Sequence, residues 1–141
     1  MSPDLLFQIA NPIALLGWIA MAVSPFAPSA SDRLAGLGIP LLMSLGYTGL
    51  VLAFWTGSQG GFSSLADVMT LFRQPEIALA GWVHYLAFDL FVGAWAVRTA
   101  RAESIPHVFV LPCLALTFLF GPAGFLAFSI LRFTLRQRSL A

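Results

Sequence analysis

The chain has 141 residues, 59% hydrophobic and only 9% charged, with a mean hydropathy of +0.88. Soluble domains are about 25% charged, so this composition excludes a water-facing surface over the whole molecule. A net charge of +1 gives no electrostatic footprint for a nucleic-acid partner. The one cysteine, Cys113, lies in an apolar run and rules out an intrachain disulfide.

Four apolar runs approach the ~20 residues that cross the hydrocarbon core. They predict an all-α four-helix transmembrane bundle filling one integral membrane domain over residues 1–141. The first run covers about 5–23. Pro3 and Asp4 suit its start, Asn11-Pro12 lies inside it, and Ser24-Pro25-Phe26-Ala27-Pro28 ends it. The N-terminus has no positive region, so the first run is expected to stay as a helix and not be cleaved as a signal.

The second run covers about 36–55, with Gly46 and Gly49 expected to let helices approach closely. After the loop residues Thr56 to Gly61, residues 62–72 read equally well as a short interfacial helix capped by Ser64 or as a plain loop. The third run covers about 77–97, between Pro75-Glu76 and Arg98 with Arg101. The fourth covers about 106–131. It contains Thr117 and Gly121-Pro122-Ala123-Gly124, a kink or wide turn, and leads to Arg132, Arg136 and Arg138. Four crossings place both termini on one side. Four arginines there against three opposite vote for cytoplasmic termini.

The third run carries the chemistry. His84 and Asp89 are ionisable groups in a segment apolar enough for lipid, where a charged side chain costs at least ~2.5–3.5 kcal/mol. Helix rise puts Asn11, Tyr47 and His84 at similar depth, with Asp89 nearer the midplane and Gly121 to Gly124 nearer the side of the termini. The expectation is one polar pocket, with His84 and Asp89 as catalytic candidates and Asn11, Tyr47, Trp82, Tyr85, Phe88 and Trp95 as substrate-binding candidates. The competing reading for each is plain helix packing or pinning. At ~100° per residue His84 and Asp89 point about 140° apart, so they form opposite walls or bind separate partners. His107 opens the fourth run nearly 20 Å from His84 by helix rise, so no metal site or cofactor is expected.

The block Trp82-Val83-His84-Tyr85-Leu86-Ala87-Phe88-Asp89-Leu90-Phe91-Val92-Gly93-Ala94-Trp95, then Ile105-Pro106-His107, Leu116 through Gly124 and Arg132, resembles the ABA4-like family of small integral membrane proteins. The resemblance covers nearly the whole chain. Plant members are linked to neoxanthin formation from violaxanthin, an isomerisation of an epoxide to an allenic alcohol. It therefore implies a carotenoid isomerase-type enzyme, or a protein binding a carotenoid-like or other isoprenoid lipid. This chain looks like a bacterial-type member, expected in the bacterial inner membrane. A non-catalytic lipid- or pigment-binding or assembly protein is the alternative. Epoxide opening needs an acid at oxygen and a base for a carbon-bound proton, and Asp89 and His84 are the pair the sequence offers.

Overall fold

The computed structural model describes residues 2–139; Met1, Leu140 and Ala141 of the expected domain lie outside the described residues. All regular structure among them is helical. Helix α1 spans Pro3–Ala22. Ser2 caps it, its Oγ accepting the Leu5 N–H at 3.3 Å, and Pro3 takes the first helical position, where a missing N–H costs nothing. The helix continues through Pro12. Short α2 (Pro28–Arg33) passes through a π turn (Leu34–Gly38) into α3 (Ile39–Phe54) and a 3-10 turn (Trp55–Gly57). This gives one helical stretch from Pro28 to Gly57.

Residues 62–72 contain a real helix, α4 (Leu65–Leu71), with Ser64 Oγ accepting the Asp67 N–H at 3.1 Å. Leu71 is fully buried beneath it. The loop before it is closed by Gln74, whose amide both accepts from the Gln59 N–H (3.1 Å) and donates to the Gln59 carbonyl (2.9 Å).

Helix α5 (Pro75–Ala102) is the axis of the molecule. Its 28 residues make it about 42 Å long. The buried core runs along it through Leu79, Val83, Leu86, Leu90, Ala94 and Val97. Helix α1 lies parallel to it. Their N-terminal ends meet where Asp4 and Phe7 lie near Pro75 and Trp82, and the end of α1 reaches the far end of α5. The stretch containing α3 runs antiparallel, from Gly36 of the π turn beside Arg98 to Tyr47 of α3 beside His84. Three helical stretches, Pro3–Ala22, Pro28–Gly57 and Pro75–Ala102, are long and apolar enough to cross a membrane.

The fourth run does not form a comparable helix. Gly121, at φ +43°, divides it into α6 (His107–Phe120) and α7 (Pro122–Ser139). Helix α6 starts beside the end of α1, where His107 Nε2 bonds the Ala22 carbonyl at 3.0 Å. Its 14 residues span only about 21 Å, short of the ~30 Å core. Helix α7 then turns back. Phe125 and Phe128 pack on Trp95, with ring centroids 5.5 and 5.4 Å away. Further on, Arg132 grips Glu103, the residue that ends α5, with Nε 2.9 and 2.8 Å from the two carboxylate oxygens. Arg136 adds a contact at 3.0 Å.

The run expected over 106–131 is therefore a helical hairpin that enters the bundle and leaves by the same end. This corrects the four-crossing expectation and the placing of both termini together. The described ends of the chain lie at opposite ends of the bundle. The error came from apolar length, which cannot tell one crossing from two half-length helices.

Candidate functional site

The apex of the hairpin is built from the sequence up. Pro122 has no N–H, so α6 cannot continue and the Phe118 carbonyl, four residues earlier, loses its helical donor. The Gly121 N–H still closes the last turn onto the Thr117 carbonyl at 2.8 Å. Thr117 is buried, and its Oγ1 donates to the Cys113 carbonyl at 2.8 Å. A Cβ at Gly124 would overlap Thr117 Oγ1, so the two arms close only over a bare glycine.

Helix α5 meets this apex with two polar side chains. The Tyr85 hydroxyl donates to the Phe118 carbonyl at 3.3 Å, replacing the donor that Pro122 lacks. Asp89 lies one turn further on, its carboxylate against the bare Cα of Gly121. A Cβ there would come 2.8 Å from Asp89 Oδ1. Asp89 is 9% exposed, and its Oδ2 is buried without a hydrogen-bond partner. Fourteen residues from Pro75, this carboxylate stands at the middle of α5. The depth estimate had put the Gly-Pro-Ala-Gly segment nearer the side of the termini; it lies at Asp89 because α6 starts from the opposite end and stops halfway.

His84 is elsewhere. It is exposed on the α3 side of α5, stacked on Phe88 at 4.6 Å and tilted against the half-buried Tyr47 at 5.4 Å. Phe88 also lines a recess of about 280 Å³ with Pro40, Leu41 and Ser44. Trp95 is taken up by the seat of α7. Asn11 faces the opposite seam, between α1 and α5, where its Oδ1 accepts the Trp82 indole N–H at 2.8 Å. Trp82 stacks on Tyr85 at 5.3 Å.

The eight expected residues thus fall into three places. Tyr85 and Asp89, with Trp82 and Asn11 leading to them, form one constellation. Tyr47, His84 and Phe88 form a second, and Trp95 packs with the hairpin. The single pocket shared by Asn11, Tyr47, His84 and Asp89 is not present, because the two faces of α5 turn them apart. Gly46 and Gly49 also differ from expectation. A Cβ on either would meet nothing within 4 Å, so they open a cleft and do not draw helices together. Sequence reasoning missed Gly121 and the Phe118 carbonyl as parts of the site. The signal available was Pro122, whose missing N–H identifies the freed carbonyl.

Three long apolar helices and a half-depth hairpin capped by a buried carboxylate define a small helical protein of the integral-membrane class. The family model described as ABA DEFICIENT 4-like matches residues 5–128, from α1 into α7. The chain belongs to the ABA4-like family. No curated protein and no solved structure matches it.

Proposed function

We propose that this protein holds a carotenoid-like or other isoprenoid lipid within the bilayer and acts on it as an isomerase-type enzyme, with Asp89 as the polar anchor. The observation that carries the reading is the Asp89 Oδ2 atom. A buried acceptor without a donor, at mid-depth, costs stability that packing alone would not retain. A donor group on a ligand supplies what the protein leaves out.

The epoxide chemistry associated with plant relatives needs an acid and a base. Tyr85 takes the place that the sequence offered to His84, because it shares the apex with Asp89. In this reading the Asp89 carboxylate takes the carbon-bound proton. The carbon–oxygen bond of the epoxide breaks, and the Tyr85 hydroxyl gives its proton to the departing oxygen. The proton on Asp89 then restores Tyr85, so the isomerisation is balanced.

The arginines support an orientation. Among the described side chains, Arg33, Arg98, Arg101, Arg132 and Arg136 lie toward the Glu103 end of the bundle, and of the arginines only Arg73 lies at the Pro75 end, with Asp4, Asp67 and Glu76. By the positive-inside rule, the Glu103 end faces the cytoplasm of a bacterial inner membrane. The C-terminal end of α7 is then cytoplasmic and the start of α1 external.

A second reading, non-catalytic lipid or pigment binding, is favoured by the cleft between α1 and α3. It encloses about 380 Å³ among Ile9, Ala10, Leu42, Gly46, Leu50 and Val83. Chromatography of isoprenoid lipids incubated with the purified protein separates the two. Conversion that disappears in Asp89→Asn and Tyr85→Phe supports the enzyme. Stoichiometric co-purification of an unchanged polyene supports the binder.

A further inference from the structure

The hairpin stops at Asp89, so the rest of the α1–α5 seam, toward Pro75, is finished differently. Phe7 and Trp82 meet at 5.6 Å, Trp82 and Tyr85 stack at 5.3 Å, and Tyr85 reaches the apex. The three rings make a continuous aromatic track from the surface to the middle of α5. Trp82 is 39% exposed, and its indole is fixed by Asn11. An exposed, rigidly held indole is an apolar contact surface at low entropic cost.

The outer end of the track opens into a recess of about 350 Å³ formed by Asp4, Phe7, Pro75, Ala78 and Trp82. That volume lies at the low end for small-molecule sites, with Phe7 and Trp82 as its aromatic walls and Asp4 as a charged one. The inner end meets the unpartnered Asp89 Oδ2. At the other end Phe128 is fully buried against Trp95, and the Glu103–Arg132 pair ties the base of the hairpin beside a recess of about 230 Å³.

We propose that ligand reaches Asp89 along this track, entering sideways from the leaflet at the N-terminal ends of α1 and α5, with Trp82 as the residue that selects a flat, conjugated or cyclic end. The inference rests on the reading of Asp89 as a ligand anchor. It adds the route, its sidedness and the selecting residue. Under the arginine orientation, the entry leaflet is the outer one. Asn11 is a positioning residue, holding the indole flat for whatever slides past.

The test uses all-trans-retinol, a ring-ended polyene alcohol, with the full chain in phosphatidylcholine vesicles. In a Cys113→Ala background, Ala78→Cys reports on the recess and Ser104→Cys on the opposite end. Retinol is expected to slow maleimide labelling at position 78 at least fivefold and to leave position 104 unchanged. Ala78→Phe, narrowing the mouth, is expected to weaken saturable retinol binding about tenfold. Trp82→Leu should do the same, and Trp82→Phe should recover most of it. Protection at 104, or saturable binding without protection at 78, overturns the route while leaving the anchor intact. Undiminished binding by Asp89→Leu overturns the anchor whichever cysteine is protected. Absence of any saturable binding counts against both.

Discussion

At the apex of the hairpin the Asp89 carboxylate rests against the bare Cα of Gly121. Two substitutions separate its roles. Because the neighbouring Tyr85 hydroxyl keeps its bond to the Phe118 carbonyl, Asp89→Leu is expected to leave the melting temperature in detergent unchanged or to raise it, while abolishing ligand binding or turnover. A large loss of stability would instead make Asp89 a clamp. Tyr85→Phe removes the one donor on the Phe118 carbonyl and should cost about 1–3 kcal/mol, read from the same melting curves. Gly121→Ala faces both a positive φ and the Asp89 oxygens, and about 1–3 kcal/mol of lost stability is expected. His84 shows why depth alone misleads. It matches Asn11 in level, yet α5 turns it toward α3, where it stacks on Phe88 beside Tyr47.

At the scale of elements, the starts of α1 and α5 could be read directly, since Pro3 and Pro75 act through local geometry, whereas residues 62–72 stayed open between helix and loop until Ser64 was seen to cap α4. The hairpin could not. A Gly-Pro pair inside an apolar run is compatible with a kinked crossing or a full reversal, and the choice depends on long-range partners. Those partners are Trp95 with Phe125 and Phe128, and Glu103 with Arg132 and Arg136. The hydrogen bond from Arg132 holds the Glu103 carboxyl below its ordinary value of 4.5. A depressed carboxylate contributes stability above its unfolded pKa and loses it as pH falls through the folded one. The base of the hairpin should therefore be firm at neutral pH and loosen only in acid, below the ordinary carboxylate range. Hydrogen exchange of the C-terminal turns of α7 across that range reads this directly. In Glu103→Gln the same turns should exchange faster at pH 7.

For the whole molecule, three helical stretches long and apolar enough to cross a membrane, and a hairpin that returns to its own starting end, put the two described ends of the chain at opposite ends of the bundle. Reporter fusions to the start of α1 and to the end of α7 should register on opposite sides of the membrane, the latter with the cytoplasmic signal. Equal signals from both would restore a fourth crossing. Composition made the membrane class plain, because a 9% charged chain has nothing else to cover it. Topology needed long-range contacts, among them Arg132 on Glu103, joining residues 29 positions apart.

The halfway reversal also orders assembly in time. Helix α1, the stretch Pro28–Gly57 and helix α5 are each long enough to be handed to lipid as the chain emerges, whereas α6 and α7 are too short or too charged to be stable there by themselves. Their resting place consists of Asp89, Trp95 and Glu103, so it exists only once α5 has been installed. The hairpin is then the last piece to dock, and the site at its apex is completed in the final step of folding. A chain cut after α5 should still insert as three helices, with Asp89 left uncovered.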